Sequence, residues 1–288
     1  MRFGLNLLMW TDTLCDQYLP ILDELKEIGY DLVELPVFDL DNEANYKKWA
    51  KRLDEVGLPR TATAIRTAEE NLISSDPAVR RKGIEANKRN LDCCAILGAE
   101  IMAGPFHSAL GVFSGRGPTA DEWKWAVEGY QAVTGALEQS HVTLAIEPLN
   151  RFETYFLNTA EDAARLAAEV NHPNFGILFD TFHANVEEKS IAAGLRTAGP
   201  YLKHLHSCEN DRGIPGTGHV DWMGVFQALF LSQVTFPAMV HTSVDLAKKR
   251  GHAGTAKLVN AVLKRVPQSL EEVRLPDRST DRKSTRLN

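Results

Sequence analysis

The sequence lacks the features that mark membrane-spanning and nucleic-acid-binding proteins. Its longest apolar runs, such as 142–146, are far shorter than the roughly 20 residues that span a bilayer. Lys and Arg total 32 against 38 Asp and Glu, which leaves a net charge of −6 and no basic excess. The first residues run into a strand-like segment without a cleavage-site pattern, so we expect no signal peptide. These absences predict a chain that binds neither membranes nor nucleic acid.

Cysteine is also scarce, and its spacing excludes a disulfide scaffold. The chain has 4 cysteines and no CxxC pair. The adjacent Cys93 and Cys94, on a predicted helix, suit packing better than bridging. This usage is typical of a reducing compartment, so a cytoplasmic location is expected. The apolar fraction of 44% is ordinary and allows a large buried core.

Short apolar runs alternate with helical stretches along the chain, and no linker rich in Pro, Gly or Ser interrupts them. The runs predict strands over 3–10, 31–38, 61–66, 100–105, 142–148, 175–180, 201–207 and 237–242. Helical spacing and end signals predict helices over 21–28, 46–56, 77–97, 120–140, 160–170, 190–197, 222–231 and 255–266. Eight strand–helix units indicate a parallel sheet and favour a closed (β/α)8 TIM barrel, a single α/β domain over residues 1–266.

The ends of several helices carry recognisable signals. Gly29 and Gly98 are predicted to end the first and third helices. Asp76 before Pro77 predicts the start of the third helix. Thr119 has the capping-box spacing to a glutamate three residues later.

The tail over 267–288 differs from the rest, because it is polar and basic without periodicity. We expect it to be disordered. Its last eight residues, 281–288, read DRKSTRLN and resemble the translation of a sequencing-library adapter.

Polar side chains stand at the ends of four consecutive predicted strands: Glu147, Asp180, His206 and His241. The carboxyl ends of barrel strands meet at the face where active sites lie. Side chains alternate along a strand, and the parity that turns bulky residues toward the helices aims these four inward. Any one of these residues by itself would be interpreted as a solvated residue at a strand end or as a buried polar residue with its hydrogen bonds formed. Four together predict a divalent-metal site, and mixed oxygen and nitrogen donors suit Mn²⁺, Co²⁺, Fe²⁺ or Zn²⁺ better than Mg²⁺.

Further polar residues follow these strand ends. Glu153, His183 and Arg212 lie just beyond the predicted ligands and are candidates for gripping a substrate. His204 shares the parity of His206 one layer deeper, which favours a core histidine or one that supports the ligands. His107 lies in a predicted loop and is expected to be exposed.

Five segments of the chain carry a resemblance to a known family. They are MRFGLNLLMWTDTL, DLVELPVFD, IEPLNRFETYFLNT, GILFDTFHANVEE and LKHLHSCENDRGIPGTGHVDWMGVFQAL. Together they resemble the sugar isomerase/epimerase superfamily of xylose-isomerase-like TIM barrels. Within it they are most similar to the ketose 3-epimerases of D-tagatose, D-psicose (allulose) and L-ribulose. The resemblance covers about residues 1–231.

The resemblance implies metal-dependent epimerisation of free ketoses at C3 through a cis-enediolate. In the family a divalent metal, commonly Mn²⁺, Mg²⁺ or Co²⁺, binds a Glu, an Asp, a His and a second Glu and chelates O2 and O3 of the ketose. The first three match Glu147, Asp180 and His206. The two glutamates face opposite sides of C3, and one removes a proton while the other returns one. The residues that grip the reacting end of the sugar match Glu153, His183 and Arg212. Mn²⁺ and a homodimer or homotetramer are the expected metal and assembly.

The match departs at the eighth strand, where the second glutamate falls on His241. Imidazole can replace a carboxylate as ligand, but once one ring nitrogen is bound the other points away from the metal. Either His241 acts as the second acid/base without tight ligation, or Glu147 acts alone. A single base would leave aldose–ketose or hydroxypyruvate-type isomerisation. A third hypothesis is a non-catalytic barrel that binds sugar or metal, and a fourth is an incorrect sequence beyond about residue 231.

A phosphodiesterase of the endonuclease IV type would share the barrel. That activity needs more metal ligands and a basic face, and the net charge of −6 disfavours it. The leading prediction is therefore a ketose 3-epimerase.

Overall fold

The computed structural model describes residues 2–231 and 239–241 and forms a closed barrel of eight parallel strands in sequence order. The strands are β1 (Phe3–Asn6), β2 (Leu32–Pro36), β3 (Arg60–Thr63), β4 (Ile101–Gly104), β5 (Thr143–Ile146), β6 (Phe175–Asp180), β7 (Leu202–Ser207) and β8 (Met239–His241). β8 closes the barrel by pairing with β7 and with β1. The predicted (β/α)8 fold is thereby confirmed.

At least one helix connects each strand to the next. The helices are α1 (Ile21–Ile28), α2 (Glu43–Val56), α3 (Pro77–Leu97), α4 (Ala120–Gln131), α5 (Thr134–Ser140), α6 (Ala160–Val170), α7 (Thr181–Glu187), α8 (Ile191–Ala198) and α9 (Trp222–Leu231). Short 3₁₀ turns span Leu7–Met9, Asp16–Tyr18, Ala68–Glu70 and Gly199–Tyr201. The predicted helix over 255–266 and the tail over 267–288 lie outside the described residues.

Three element predictions were wrong in detail. The first strand ends at Asn6 instead of residue 10, because the Asn6 side chain accepts the backbone N–H of Leu8 and starts a 3₁₀ turn. The predicted helix over 120–140 is broken between α4 and α5, where the Thr134 hydroxyl donates to the Gln131 carbonyl. The short helix α7 was missed, because it begins directly at the end of β6.

Helix ends follow the local signals closely. Gly29 and Gly98 adopt φ of 94° and 74°, and their N–H groups donate to the last carbonyls of α1 and α3. Glycine is favoured at both positions because it has no Cβ to strain this backbone conformation. Asp76 accepts the N–H of Ala78 at the start of α3. The capping box at Thr119 is formed in full.

The capping box supports the first stability prediction. The Thr119 hydroxyl accepts the N–H of Glu122, whose carboxylate accepts the N–H of Thr119. Thr119→Ala should lower the free energy of unfolding by about 1 kcal/mol, and Thr119→Ser should retain most of it. Urea denaturation of the two variants measures the difference. Equal loss in both would show that the hydroxyl is not what stabilises this helix end.

Apolar side chains pack in two layers around the sheet. The larger layer lies between strands and helices and includes Leu144 and Ile146 of β5. A small cluster fills part of the barrel interior and consists of Ile101, Ala103, Ala145 and Leu178. Among the described helices, none combines the length and apolar composition needed to cross a bilayer.

Candidate active site

Three strand ends bring their polar side chains to one point inside the barrel mouth. Ala145 faces the interior, so Glu147, two residues later, continues the inward series past the end of β5. Asp180 on β6 pairs in register with His206 on β7. His206 Nδ1 lies 3.7 Å from Glu147 Oε1 and 3.8 Å from Asp180 Oδ2. All three residues are buried.

The two carboxylate oxygens of Asp180 have different surroundings. Oδ1 caps α7 by accepting the N–H groups of Phe182 at 2.6 Å and His183 at 3.3 Å. Oδ2 is buried and accepts no hydrogen bond. An ionised oxygen buried in this way is costly unless a cation compensates it. Arg212 Nη1 at 3.6 Å supplies part of that charge.

His206 lies between two carboxylates. Burial disfavours its charged form, but the negative charges of Glu34 and Glu147 outweigh this and raise its pKa to about 10. Glu34, on β2, is fully buried, which by itself favours its neutral form. The two histidines it contacts, His204 and His206, nevertheless hold its pKa below the ordinary value.

His183 presents a hydrogen-bond donor to the cavity. Its Nδ1 accepts the backbone N–H of Asn150 at 3.0 Å. Burial lowers its pKa to about 4, so the ring is neutral and carries its proton on Nε2. Nε2 lies 3.7 Å from Glu147 Oε1. A neutral imidazole with its N–H directed at the cavity is suited to bind a substrate oxygen.

Arg212, in the loop after β7, places its side chain next to Asp180 and His183. It has a left-handed backbone with φ of 61°, which is uncommon for a residue with a side chain. Its guanidinium stacks 3.8 Å above the ring of Phe182. Nη2 lies 3.2 Å from His183 Nε2 and 3.5 Å from Glu153 Oε1. The side chain is therefore held in place beside the predicted metal ligands.

A buried carboxylate that the sequence analysis missed anchors the same loop. Glu209 accepts the N–H groups of Gly216 at 2.7 Å and Val220 at 3.2 Å and the indole N–H of Trp222 at 2.5 Å. It is fully buried without a cation among these partners. Glu209 thus fixes the loop that carries Arg212, and its position two residues after β7 gave no distinguishing signal.

The polar group lines a cavity of about 310 Å³ that opens at the carboxyl ends of the strands. Its volume lies at the lower end of the range for small-molecule sites, which suits a monosaccharide-sized ligand. Six of the seven predicted site residues line it, namely Glu147, Glu153, Asp180, His183, His206 and Arg212. The opposite wall is largely apolar and contains Leu8, Met9, Ile65 and Leu110.

The donor set fits a divalent cation. Glu147 and Asp180 offer carboxylate oxygens, His206 offers an imidazole nitrogen, and Asp180 Oδ2 lacks any hydrogen bond that a cation would have to displace. Ligand atoms of Glu147, Asp180 and His183 also lie within 4.8 Å of one another. His206 is the better nitrogen ligand, because its Nδ1 lies 3.7 Å from Glu147 Oε1 and 3.8 Å from Asp180 Oδ2.

Most of the chain matches a known protein family. The family model described as xylose isomerase-like TIM barrel matches residues 22–249. The chain belongs to the xylose isomerase-like TIM barrel family.

Its relatives in this family include several 3-epimerases. The D-psicose 3-epimerase of Agrobacterium fabrum is 30% identical over 232 residues, 80% of each chain. The ketose 3-epimerase of Arthrobacter globiformis is 32% identical over 231 residues, 80% of this chain and 79% of the relative. A solved L-ribulose 3-epimerase superposes with a TM-score of 0.85 at 25% identity, over 96% of this chain and 99% of the other. This member of the xylose isomerase-like family is therefore an isomerase, as predicted.

At position 241 the chain has a histidine where the family resemblance predicts the second glutamate. In the backbone register His241 pairs with Ser207 and Leu5, while Val240 pairs with His206. The side chain of His241 lies outside the described residues. Its predicted roles as ligand and acid/base stay predictions.

The expectation that His107 is exposed was wrong. The residue is fully buried, and its Nε2 lies 3.0 Å from the carbonyl oxygen of Glu147. Burial lowers its pKa to about 4, so it is a neutral structural partner of the Glu147 backbone. Glu34 was also missed, although a lone acid within the apolar run LVELP was the signal that could have revealed it.

Proposed function

We propose that this chain is a divalent-metal-dependent epimerase that inverts C3 of free ketoses. The observation that carries the proposal is the convergence of Glu147, Asp180 and His206, with one Asp180 oxygen free of hydrogen bonds. The 3-epimerase names of its relatives support it. A divalent cation held by these three residues would act as a Lewis acid on the ketose oxygens next to C3.

Glu147 is the residue proposed to remove the proton. Its carboxylate is buried at 6% exposure yet lines the cavity, so it reaches a substrate while little water competes. When it takes the C3 proton, the C3–H electron pair forms a C2=C3 double bond and the carbonyl pair moves onto O2. The product of this step is an enediolate, which loses the configuration at C3.

Inversion then requires a proton donor on the other face of the enediolate. We assign this role to His241 because its strand lies next to β7. If His241 does not serve, Glu147 can only return a proton to the face from which it came. The alternative function is then an isomerase in which Glu147 takes a proton from C1 of the ketose, the C1–H electron pair forms a C1=C2 double bond, and a proton returned to C2 leaves the carbonyl at C1. The histidine at position 241 is the observation that favours it.

Arg212, His183 and Glu153 are proposed to hold the reacting end of the sugar. Arg212→Lys keeps the charge but loses the planar set of donors and the stacking on Phe182. We expect KM to rise about ten- to a hundredfold while Mn²⁺ affinity stays unchanged. Arg165→Lys is the matched control, since Arg165 also stacks on an aromatic ring, that of Trp123, but on α6. Steady-state kinetics beside metal titration check this, and a change in kcat alone would contradict it.

Mn²⁺ is proposed because it accepts both carboxylate and imidazole ligands. A homodimer or homotetramer is proposed, which sedimentation would measure. All four cysteines are free, consistent with a cytoplasmic location.

The test is product analysis in D₂O. The protein is stripped of metal, loaded with Mn²⁺ and incubated with fructose, psicose, tagatose and ribulose. C3-epimerised products that carry deuterium at C3 support the proposal. Deuterium at C3 without inversion shows that Glu147 works without a second acid, and an aldose product supports the isomerase. Mn²⁺ binding with neither deuterium at C3 nor an aldose product would show a barrel that binds metal without catalysing either reaction.

Position 241 has a direct test of its own. His241→Glu introduces the carboxylate expected from the resemblance, which can hold the cation with one oxygen and exchange a proton with the other. If the histidine limits inversion, the variant should epimerise about tenfold faster or more, within the range that a placed acid/base contributes. Slower epimerisation with unchanged C3 exchange would show that His241 is itself the better proton donor.

A further inference from the structure

Glu34 occupies the centre of a closed hydrogen-bond network beneath the active site. Its Oε1 accepts from Asn6 Nδ2 at 2.8 Å and from His206 Nε2 at 2.7 Å. Its Oε2 accepts from Thr61 Oγ1 at 2.9 Å and from His204 Nε2 at 2.8 Å. The carboxylate is fully buried, and each oxygen has two partners, so its acceptor capacity is largely filled.

The direction of these bonds follows from the surroundings. Asn6 Oδ1 accepts the backbone N–H of Leu8, so the Asn6 group that faces Glu34 is the amide NH₂, a donor. Thr61 donates its hydroxyl to the other oxygen. Since a carboxylate is acceptor-only, both histidines present an N–H at Nε2.

For His206 this arrangement distinguishes the two ring nitrogens. Nε2 carries the proton that Glu34 accepts, and Nδ1 is the atom that faces Glu147 and Asp180. A metal ligand needs a lone pair, so a cation at Nδ1 replaces any proton there while Nε2 keeps the proton that Glu34 accepts.

We propose that Glu34 is a positioning residue that holds His206 with its proton on Nε2 and its Nδ1 lone pair directed at the metal site. This inference rests on the proposed function, because it requires the cation to bind at Glu147, Asp180 and His206. Glu34 is not among the residues that line the cavity, and the metal ligand that it contacts is His206.

The network could itself be taken for a second metal site, because Glu34, His204 and His206 offer ligand atoms within 4.8 Å of one another. The contacts argue against this. The two N–O distances of 2.7 and 2.8 Å are those of hydrogen bonds, and Asn6 and Thr61 fill the remaining acceptor positions. A cation there would displace protons from both rings.

The experiment compares Mn²⁺ affinity in Glu34→Gln and in the wild type by calorimetry. Glutamine has nearly the same shape but offers one oxygen and one donor, so it no longer requires a proton on His206 Nε2. We expect Mn²⁺ to bind about 10- to 100-fold more weakly. Thr61→Val is the matched control, because it removes a hydrogen bond from the other oxygen and should change affinity less than twofold. Equal affinity in Glu34→Gln and wild type would overturn the proposal.

A second measurement needs no variant and therefore holds even if Glu34→Gln does not fold. Nitrogen-15 NMR of the Zn²⁺-loaded wild type should show the metal on Nδ1 of His206 and a proton on Nε2. Metal on Nε2, or a second equivalent of metal bound through Glu34, would overturn the assignment. Failure of the wild type to bind any divalent metal would instead remove the proposed metal site, whereas binding without epimerisation would leave the role of Glu34 intact.

Discussion

Replacing Glu147 by glutamine is expected to abolish proton exchange at C3. The amide keeps the shape of the side chain but cannot accept a proton from carbon. A positioned acid/base group contributes on the order of 10²–10⁴-fold to the rate, so kcat should fall by a factor of at least about 10². Because Glu147 is also a proposed ligand, Mn²⁺ binding should weaken as well.

Two measurements separate these effects. Deuterium incorporation at C3 in D₂O reports the first proton transfer, and it should be lost even at Mn²⁺ concentrations that saturate the variant. Glu100→Gln is the control, since Glu100 is an exposed carboxylate that pairs with Arg2 at the opposite end of the barrel. Persistent exchange in Glu147→Gln would assign proton removal to another group and exclude the proposed role.

Asp180→Asn should remove most of the affinity for the divalent metal. The variant isolates the site function of Asp180, because an asparagine Oδ1 can still accept the N–H groups of Phe182 and His183 that cap α7. Only Oδ2, the oxygen without a hydrogen bond, becomes an NH₂ group. We expect metal binding at least on the order of 100-fold weaker, and activity lost in proportion.

Thermal unfolding gives an independent readout of the same change. A ligand that binds only the folded state at 1,000 times its Kd stabilises that state by about 4 kcal/mol. Saturating Mn²⁺ should therefore raise the Tm of the wild type, and a chelator should reverse the increase. Asp180→Asn should show little increase at the same concentration, whereas Asp162→Asn, in the first turn of α6, should behave as wild type. A full increase in Asp180→Asn would place the metal elsewhere.

Several features of the barrel were accessible from local pattern. The alternation of strands and helices, the glycines after α1 and α3 and the capping box at Thr119 are set by interactions within a few residues. The inward direction of Glu147 follows from strand alternation and the presence of Leu144 and Ile146 in the outer layer. Local signals failed where a side chain competed with the backbone, as at Asn6 and Thr134.

Local sequence pattern thus determined the fold and the polar residues at three strand ends. What only the tertiary structure decided are contacts across the barrel: Glu34 with His204 and His206, and His107 beneath Glu147. The left-handed backbone of Arg212 and its stacking on Phe182 belong to the same class. Periodicity states which way a side chain faces along its own strand. It does not state which side chains of distant strands meet, because that depends on the tilt and stagger with which the sheet closes.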